Sequence, residues 1–476
     1  MVCARGACSW HTGASMTDKF EITITDINQH GQGVGQASDG LVHFVDGALP
    51  GETVKVRVKQ KSRSYIVSEI EDIVVSSPDR VIPPCPVFDA CGGCSLQHLT
   101  YDAELRWKEA RVLSALERIG KLDLSAIEVY PILGMEDPWR YRNKASYPFS
   151  GTVQDPVTGF YATRSHEIVE HRDCLLLTKE TNVVKRIVIE LMRRDKVAPY
   201  NEDENDGILR HLVIKHALAT NELMVIFVVT KRMEIMKKWP EEIQKVLATE
   251  NYKATLASVH TIENKKRSNV ILKGKTTHLY GRETVTEVLN GLSYRIRPEA
   301  FFQVNTRQTE KLFSVVAKWA VEALTGREKK QALDLYCGSG TIALHLAQRG
   351  IEVTGVEIVP EAIAEAIVAA NENQLFNASF VASDIVDYIQ SEGVKEHVSL
   401  VVLDPPRKGS DQRLLDALIK AEHVRSIIYV SCNPATLARD LAYLSQNFSV
   451  RRLQTVDMFP HTTHVECVVL ITRVKD

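Results

Sequence analysis

Residues 332–344, Ala-Leu-Asp-Leu-Tyr-Cys-Gly-Ser-Gly-Thr-Ile-Ala-Leu, predict a buried strand, a glycine turn and the start of a helix. The apolar residues before the turn suit a strand of a parallel sheet, in which both faces are covered. Gly338 and Gly340 allow the backbone to turn sharply and approach a ligand, because a Cβ atom at either position would obstruct it. The helix is predicted over 341–349, with Gly350 as its C-terminal stop. This stretch therefore predicts a βα unit with a ligand site at its turn.

An acidic residue follows this unit at the spacing of a nucleotide site. The next predicted strand ends at Glu357, which lies 19 positions after Gly338. In Rossmann-type sites an acid at this place accepts hydrogen bonds from the ribose hydroxyls. Residues 338–343 also fit the G-x-G-x-x-A pattern of a dinucleotide dehydrogenase. Asp334 and the later loop 404–406, Asp-Pro-Pro, fit S-adenosylmethionine better, so we predict that cofactor.

Strand and helix patterns alternate through the C-terminal region, residues 301–476. This alternation predicts a doubly wound, Rossmann-like α/β domain. Ligands of such sheets bind beyond the carboxyl ends of the strands. The polar residues predicted at these ends are Glu357, Asp384, Asp404 and Cys432. Asp384 follows the third strand, where it is placed to meet an adenine edge.

Length and composition limit the class of protein. The chain has 476 residues, 44% hydrophobic and 25% charged, which allows about two to four globular domains. No apolar run approaches the roughly 20 residues of a membrane span, and the N-terminus lacks a signal-peptide core. We therefore expect a cytoplasmic protein, and since nothing implies a protein partner, a monomer. The net charge of −2 means that any nucleic acid must be bound by local basic patches.

The N-terminal region divides into a disordered leader, predicted over 1–16, and a β-rich segment, 17–75. Within residues 53–63, Thr-Val-Lys-Val-Arg-Val-Lys-Gln-Lys-Ser-Arg, apolar side chains alternate with cations. Such a strand buries one side and presents a row of positive charges on the other. The row indicates either a small barrel that binds RNA phosphates or a solvated strand face. Segment 17–75 resembles a TRAM domain, a small RNA-binding β-barrel, in its Gly-x-Gly-x-Gly bends and its turn at 49–52.

Residues 76–300 are predicted to form a mixed α+β middle domain. Its predicted helices and strands lie at 99–120, 178–194, 212–216, 223–229 and 268–272. The first helix has an apolar stripe that includes Val112, Leu116 and Ile119. Residues 139–144, Trp-Arg-Tyr-Arg-Asn-Lys, indicate either an RNA contact or a charged strand edge.

Four cysteines of this middle domain predict a metal cluster. Cys85, Cys91 and Cys94 have C-x5-C-x2-C spacing, and Cys174 follows far downstream. Structural zinc is usually bound by closely spaced pairs of ligands in the sequence. Three cysteines with a distant fourth are more similar to the spacing found in iron-sulfur proteins. We therefore favour a [4Fe-4S] cluster over zinc. Four cysteine ligands would leave no iron of the cluster open to a substrate, which predicts a structural or RNA-binding role rather than a catalytic one.

The loop at 404–409, Asp-Pro-Pro-Arg-Lys-Gly, argues against amino-group methylation. Amino methylases carry an aromatic residue after Asp/Asn-Pro-Pro, and this chain has Arg407 there. Carbon 5 of a pyrimidine cannot take a sulfonium methyl group until a nucleophile has added at carbon 6. A cysteine of lowered pKa suits that addition. Cys432, flanked by Ser431 and Asn433, is the candidate, with a buried structural cysteine as the alternative.

The same chemistry requires a general base. The proton on carbon 5 must be removed before the thiolate departs, and Glu466 is predicted to accept it. His461 and His464 are weaker candidates, since histidines near loops are usually polar surface groups. Cys467, next along an alternating strand, is predicted to face the core.

Together these motifs resemble the RNA (uracil-5-)-methyltransferase family. The matching segments, in order, are 302–305, 334–340, 404–409, 431–434 and 464–466. The resemblance covers nearly the whole chain. It implies that S-adenosylmethionine is bound by a set of side chains, Gln303, Tyr336, Glu357 and Asp404, with Asp384 less closely matched. It also implies that Cys432 is the nucleophile and Glu466 the proton acceptor.

The TRAM-like segment and the four cysteines make the chain similar to family members that modify 23S ribosomal RNA, whereas the transfer-RNA branch characteristically lacks both. The resemblance therefore implies methylation of uridine carbon 5 in 23S ribosomal RNA, and a transfer-RNA uridine is the first alternative. A cytosine-5 RNA methyltransferase should carry a second catalytic cysteine near the Pro-Pro loop, where Arg407 stands. A non-catalytic RNA-binding or chaperone protein would have no need for Cys432 together with Glu466.

Overall fold

A computed structural model describes residues 19–37, 40–267 and 270–474, which fall into two compact units. The first unit comprises the described residues up to Phe88, with Cys94–Glu104 and His461–Thr463. The second comprises Asp89–Gly93, Leu105–Pro460 and the described residues from His464 onward. The predicted leader, 1–16, lies outside the described residues. Within the described ranges, no helix combines the length and apolar character that a membrane span requires.

Five strands of the first unit form a closed barrel. They are β1 (Lys19–Ile27), β2 (Gly33–Gln36), β3 (Val42–Asp46), β4 (Thr53–Lys61) and β5 (Tyr65–Val75). The strand order is β1-β2-β3-β5-β4, and β1 pairs with β4 to close the ring. Within β4, the alternation predicted from sequence is confirmed, since Val54, Val56 and Val58 are buried and the intervening Lys55 and Arg57 are exposed.

The cations on the outer face of β4 lie close to acidic side chains. Arg57 forms an ion pair with Glu69 of β5, and Lys59 lies 3.0 Å from Glu69 and 3.7 Å from Asp46. Exposed pairs of this kind contribute only about 0–1 kcal/mol to stability. Part of the positive charge on this face is therefore neutralised within the barrel itself.

The second unit begins with helices and strands drawn from the middle of the chain. In chain order they are α1 (Tyr101–Arg118), β6 (Glu128–Leu133), β7 (Lys144–Gly151), β8 (Pro156–Tyr161), β9 (Ile168–Glu170), α2 (Lys179–Asp195), β10 (Leu209–Ala217), β11 (Glu222–Val229), α3 (Trp239–Thr249), β12 (Thr255–Glu263), β13 (Lys275–Gly281), β14 (Val285–Leu289) and β15 (Leu292–Ile296). Short 3-10 turns lie at Leu124–Ala126 and Glu234–Lys238. Strands β7 to β13 form one sheet, in the order β13-β12-β11-β10-β7-β8-β9. Strands β14 and β15 pair separately as a hairpin.

Most of the elements predicted for this segment are confirmed, with two corrections. Ile119, predicted on the buried stripe of α1, is 48% exposed because the helix ends one residue earlier. Of the predicted strand 268–272, residues 268 and 269 lie outside the described part, and 270–272 lead into a turn that precedes β13. Ile271 and Leu272 pack against a buried apolar cluster from this turn, which accounts for the apolar run.

The C-terminal elements alternate helix and strand, as predicted. They are α4 (Thr306–Ala323), β16 (Gln331–Leu335), α5 (Thr341–Ala347), β17 (Glu352–Glu357), α6 (Pro360–Glu372), β18 (Ala378–Ala382), α7 (Ile385–Glu392), β19 (Leu400–Leu403), α8 (Gln412–Lys420), β20 (Ser426–Ser431), α9 (Pro434–Leu444), β21 (Phe448–Val456) and β22 (Glu466–Arg473). Their strands form a sheet in the order β18-β17-β16-β19-β20-β22-β21-β6. The first five run parallel, β22 is antiparallel to both neighbours, and β6 pairs with β21 in parallel. The doubly wound α/β prediction is thus confirmed.

Both faces of this sheet are covered. In β19, Leu400 and Val402 pack into one apolar cluster while Val401 and Leu403 pack into another, and all four are fully buried. Burying an aliphatic side chain contributes roughly 1.5–3 kcal/mol, so this short strand is held firmly at the centre of the sheet. The order of strands reverses at β16, between β17 and β19, and ligands of open α/β sheets bind at such a switch point.

Candidate active site

A cavity of about 1340 Å³ lies at the carboxyl ends of the central strands. Its walls bring together the residues that the sequence nominated for cofactor binding and catalysis, which are Gln303, Tyr336, Glu357, Asp384, Asp404, Cys432 and Glu466. These residues come from separate strand ends and loops, so their convergence is a property of the folded sheet. His464 also lines the cavity, whereas His461 is not among the lining residues.

The turn between β16 and α5 forms the floor of the cavity. Tyr336, Gly338 and Gly340 all have positive φ angles, of 63°, 53° and 76°. A Cβ atom at Gly340 would lie 2.7 Å from the Phe380 ring and 2.8 Å from Ala366, so packing within the protein excludes a side chain there. At Gly338 a Cβ atom would meet nothing within 4 Å, so the backbone angle is what favours glycine within the protein, and obstruction of a ligand by a side chain at this position stays a prediction. The left-handed conformation of Tyr336, which costs of order 1–3 kcal/mol, was not foreseen.

Two carboxylates flank this turn. Glu357, at the end of β17, accepts hydrogen bonds from the backbone N–H of Gly338 at 3.2 Å and of Val359 at 3.1 Å. Asp384 caps α7, because its Oδ1 accepts from the backbone N–H of Val386 at 2.9 Å and of Asp387 at 3.1 Å. Both side chains are therefore oriented by the backbone while they border the cavity.

The motif Phe-Gln-Val-Asn at 302–305 is fixed by residues far away in sequence. Asn143 donates from its side chain to the carbonyl of Gln303 at 3.0 Å, and its backbone N–H donates to Val304 at 2.9 Å. Asn305 is fully buried, caps α4, and donates to the carbonyl of Met458 at 3.0 Å. Asn143 lies in the segment 139–144, so this part of it has a structural role that the sequence did not reveal.

Asp404 follows β19 directly and lines the cavity. Burial raises the pKa of Asp404 to about 7. Asp334, buried on the neighbouring strand β16, has a pKa raised well above its usual value by burial and then by the charge of Asp404. The two carboxyl groups therefore resist ionising together.

Cys432 and Glu466 lie at adjacent strand ends. Ser431 of β20 pairs with Cys467 of β22 in antiparallel register, so the next positions of that register are Cys432 and Glu466. Cys467 itself is fully buried, as predicted. The two cavity-lining side chains are thus presented by neighbouring strands.

The electrostatic state of the pair differs from the sequence-based expectation. Burial, followed by the charge of Glu466, raises the pKa of Cys432 to about 11, where a lowered pKa was expected. Burial and then Asp404 raise the pKa of Glu466 to about 8. Arg407 opposes both shifts. His464 has a pKa lowered to about 4 by burial and nearby cations, so it is neutral at pH 7.

One buried acid near the cavity was missed from sequence. Asp440 of α9 is 1% exposed and accepts hydrogen bonds from the hydroxyl of Tyr429 at 2.6 Å and the backbone N–H of Ser410 at 2.8 Å. It shares the buried face of α9 with Leu437 and Leu441. The sequence did contain a signal, since Asp440 stands at a helical position otherwise occupied by apolar residues. A carboxylate buried at such a position requires hydrogen-bond partners.

The four candidate cluster ligands, Cys85, Cys91, Cys94 and Cys174, form no disulfide bonds and are partly exposed. The sulfur of Cys91 accepts from the backbone N–H of Gly93 at 3.4 Å, and that of Cys94 from the side chain of Gln97 at 3.1 Å. Among the residues that the structure describes, no three His, Cys, Asp or Glu side chains are grouped so as to hold a metal ion.

The fold and the cavity define a doubly wound α/β enzyme with its ligand site at the switch point of the sheet. Residues 101–474 match the family model described as tRNA (Uracil-5-)-methyltransferase, and residues 18–70 match the TRAM domain model. The chain therefore belongs to the S-adenosylmethionine-dependent RNA uracil-5-methyltransferase family.

Relatives and a solved structure agree with this assignment. An uncharacterized RNA methyltransferase of Halalkalibacterium halodurans is 41% identical, over 95% of this chain and 97% of the relative. One of Clostridium acetobutylicum is 39% identical, over 96% of this chain and 97% of the relative. The crystal structure of Pyrococcus abyssi tRNA (uracil-54, C5)-methyltransferase in complex with S-adenosyl-L-homocysteine is 27% identical, with a TM-score of 0.74, covering 95% of this chain and 99% of that one.

Proposed function

We propose that the protein methylates carbon 5 of a uridine in 23S ribosomal RNA through a covalent adduct with Cys432. The observation that carries the proposal is the pairing of Cys432 with Glu466 at adjacent strand ends in the wall of one cavity. The nucleophile acts on carbon 6 and the base on carbon 5 of the same ring, so the two side chains must lie near each other, as residues at opposed positions of neighbouring strands do.

The proposed reaction starts with the thiolate of Cys432. Its sulfur forms a bond to carbon 6 of the uracil, and the electrons of the C5–C6 double bond move to give an enolate. Carbon 5 then takes the methyl group of S-adenosylmethionine, whose carbon–sulfur bond breaks to leave S-adenosylhomocysteine. The carboxylate of Glu466 accepts the proton from carbon 5, the C5–C6 double bond re-forms, and the bond from carbon 6 to Cys432 breaks.

The methyl donor is assigned to the part of the cavity around the β16–α5 turn. The proposed contacts are Gln303, Tyr336, Glu357, Asp384 and Asp404. The proposal is supported by the glycine turn, which leaves room for close approach, and by carboxylates held toward the cavity by backbone N–H groups. Glu357 is suited to accept hydrogen bonds from ribose hydroxyls, since it ends the second strand of the nucleotide-binding unit.

The choice of 23S ribosomal RNA is supported by the TRAM domain and the four cysteines. A transfer-RNA uridine is the second candidate, and the likeness to the Pyrococcus abyssi tRNA (uracil-54, C5)-methyltransferase favours it. Mapping 5-methyluridine in both RNA classes from a deletion strain separates the two. Loss from 23S ribosomal RNA alone supports the proposal, and loss from transfer RNA alone overturns its substrate.

The four cysteines are proposed to hold a [4Fe-4S] cluster. Their sulfurs are the soft ligands that iron prefers, and the N–H groups directed at Cys91 and Cys94 suit sulfur atoms that carry negative charge. Iron and acid-labile sulfide in anaerobically purified protein test this assignment, and a Cys85→Ser variant should lose both.

A further inference from the structure

We propose that Lys215 is a positioning residue of the methyl-donor site, where its side chain fixes the backbone at 297–300 and so holds Phe301 and Gln303 in the wall of the cavity. The inference rests on the proposed function for the assignment of the methyl donor to this cavity. Lys215 belongs to β10 and is not among the described residues that line the cavity. It therefore acts through the segment that it holds rather than by touching the donor.

A lysine is a costly residue at this position. All nine residues of β10 are buried, and only 5% of the surface of Lys215 is exposed. In the antiparallel register of β10 with β7 it is opposed to Lys144, and like charges directly opposite each other destabilise a sheet. Burial lowers the pKa of Lys215 to about 7, and Lys144 adds to the shift. An apolar side chain would cost less here, so stability alone does not explain the lysine.

The amino group of Lys215 binds both ends of one turn. It donates to the carbonyl of Arg297 at 2.9 Å and to the carbonyl of Ala300 at 2.8 Å. The backbone N–H of Ala300 also donates to the carbonyl of Arg297, at 3.3 Å, as in a four-residue β-turn. A lysine amino group has at least two N–H groups whether or not it is charged, so it can make both hydrogen bonds in either state. Lys215 thus closes the turn that leads into the cavity wall.

The three residues after this turn, Phe301, Phe302 and Gln303, all line the cavity. At their far end Asn143 donates to the carbonyls of Gln303 at 3.0 Å and Val304 at 2.9 Å. Asn143 lies beside β10, because its carbonyl accepts from the backbone N–H of His216 at 2.8 Å. The stretch 301–303 is therefore held between hydrogen bonds from Lys215 at its start and from Asn143 at its end.

The start of the stretch depends most on Lys215. The ring of Phe302 packs against two apolar clusters, whereas Phe301 is 75% exposed and gains little from packing. The hydrogen bond at Ala300 is thus the fixed point next to Phe301. Its loss should let the stretch 301–303 move away from a bound donor, while the β16–α5 turn on the other side of the cavity keeps its conformation.

The same strand supplies a matched control for a test of this role. Arg210 of β10 also donates to two backbone carbonyls, those of Asn264 at 2.7 Å and Lys266 at 2.9 Å. The loop 264–266 contains none of the described residues that line the cavity. Lys215→Met and Arg210→Met therefore remove equal numbers of hydrogen bonds to backbone carbonyls from one strand, and only the first removes them from the cavity wall.

Calorimetry with S-adenosylhomocysteine, well below the unfolding temperature of each variant, measures the effect on the donor site. Lys215→Met should raise the Kd about 5- to 10-fold, as expected for the loss of one well-placed contact, and Arg210→Met should leave it unchanged. The KM for S-adenosylmethionine should rise equally, while kcat and the KM for RNA stay within about twofold of the wild-type values. Backbone hydrogen exchange should accelerate at 299–305 in Lys215→Met and at 264–267 in Arg210→Met.

Two outcomes contradict the inference. One is a folded Lys215→Met variant with the wild-type Kd, and the other is an equal rise in Kd for Lys215→Met and Arg210→Met, which would indicate general loosening of the sheet. If Lys215→Met does not fold, Lys215→Gln, which keeps an amide donor on a shorter stem, is compared with Arg210→Gln. A Kd for Lys215→Gln no higher than that for Arg210→Gln then overturns the inference.

Failure of the proposed function would be seen in other variants. Wild-type affinity for S-adenosylhomocysteine in both Gln303→Ala and Glu357→Ala would show that the donor site is wrongly assigned. Methylation retained by Cys432→Ala would refute the covalent mechanism without bearing on Lys215.

Discussion

Cys432 and Glu466 are opposed across two antiparallel strands, because Ser431 of β20 pairs with Cys467 of β22 and the register continues by one position. Burial and the charge of Glu466 raise the pKa of Cys432, and burial and the charge of Asp404 raise the pKa of Glu466, so both groups are largely protonated at pH 7. A protonated thiol is a poor nucleophile, so Cys432 must lose its proton before it can add to carbon 6 of the uracil. The predictions below follow from this arrangement and from the packing that supports it.

Cys432→Ala should abolish methylation while S-adenosylhomocysteine still binds, since alanine removes the sulfur without altering the turn at Gly338. Transfer from a tritiated methyl donor to RNA measures the first effect, and isothermal titration calorimetry measures the second. Turnover retained by this variant would rule out the covalent mechanism. The matched control is Cys467→Ala, which removes a buried sulfur outside the cavity and should destabilise the protein without removing the chemistry.

Glu466→Gln should trap the covalent RNA adduct, because glutamine cannot accept the proton from carbon 5. The adduct would appear as a band of reduced mobility that survives denaturant, and it should carry the transferred methyl group. Its absence, in a variant that binds cofactor and RNA, would remove Glu466 from the role of base.

Breakdown of the adduct should accelerate as pH rises and level off above about pH 8. The pKa of Glu466 is raised to about 8, so its accepting form, the carboxylate, is the minor form below that value. A pH jump on preformed adduct isolates this step from formation of the thiolate, whose pKa is about 11. A decay rate that falls between pH 6.5 and 8.5 would contradict the assignment.

Gly340→Ala should destabilise the protein more than Gly338→Ala. Both substitutions place a side chain at positive φ, at a cost of roughly 1–2 kcal/mol, but only at Gly340 does the new methyl group meet the Phe380 ring. Gly338→Ala should keep the fold and weaken binding of S-adenosylhomocysteine, since Gly338 lines the cavity. Gly350→Ala, at φ 77° in open space, controls for backbone strain alone. Thermal unfolding and calorimetry test both statements.

Lys108→Met should lower stability by about 3–5 kcal/mol, because it removes the cation that is ion-paired with the buried carboxylate of Asp457. The two side chains form a 2.6 Å ion pair with no exposed surface, and Lys108 also donates to the carbonyl of Phe459 at 3.1 Å. The double variant with Asp457→Asn should lose less than the sum of the single losses. Additive losses in thermal or denaturant unfolding would show that the pair does not interact.

The parts of the site that sequence could predict are those that depend on local chemistry. The glycine turn, Glu357 at the next strand end, and the Pro-Pro loop after Asp404 are each encoded within a few residues, and the structure brings them to one cavity. The thiol pKa was predicted in the wrong direction because it depends on burial and on Glu466, 34 positions away in the chain. Asn143 and Asp440 were missed as supports because their hydrogen-bond partners lie on other elements.

Local sequence was enough to predict the succession of strands and helices along the chain, the alternation of buried and exposed residues in the barrel strand and the residue types available for chemistry, because hydrophobic periodicity and backbone angles depend on near neighbours. Which of these residues meet depends on packing between distant segments. Register between β20 and β22 opposes Cys432 to Glu466, and hydrogen bonds from Asn433 and Thr436 tie the backbone carbonyl of Arg407 to the start of α9. Such distances and charges arise from packing between segments far apart in the chain, so no local pattern encodes them.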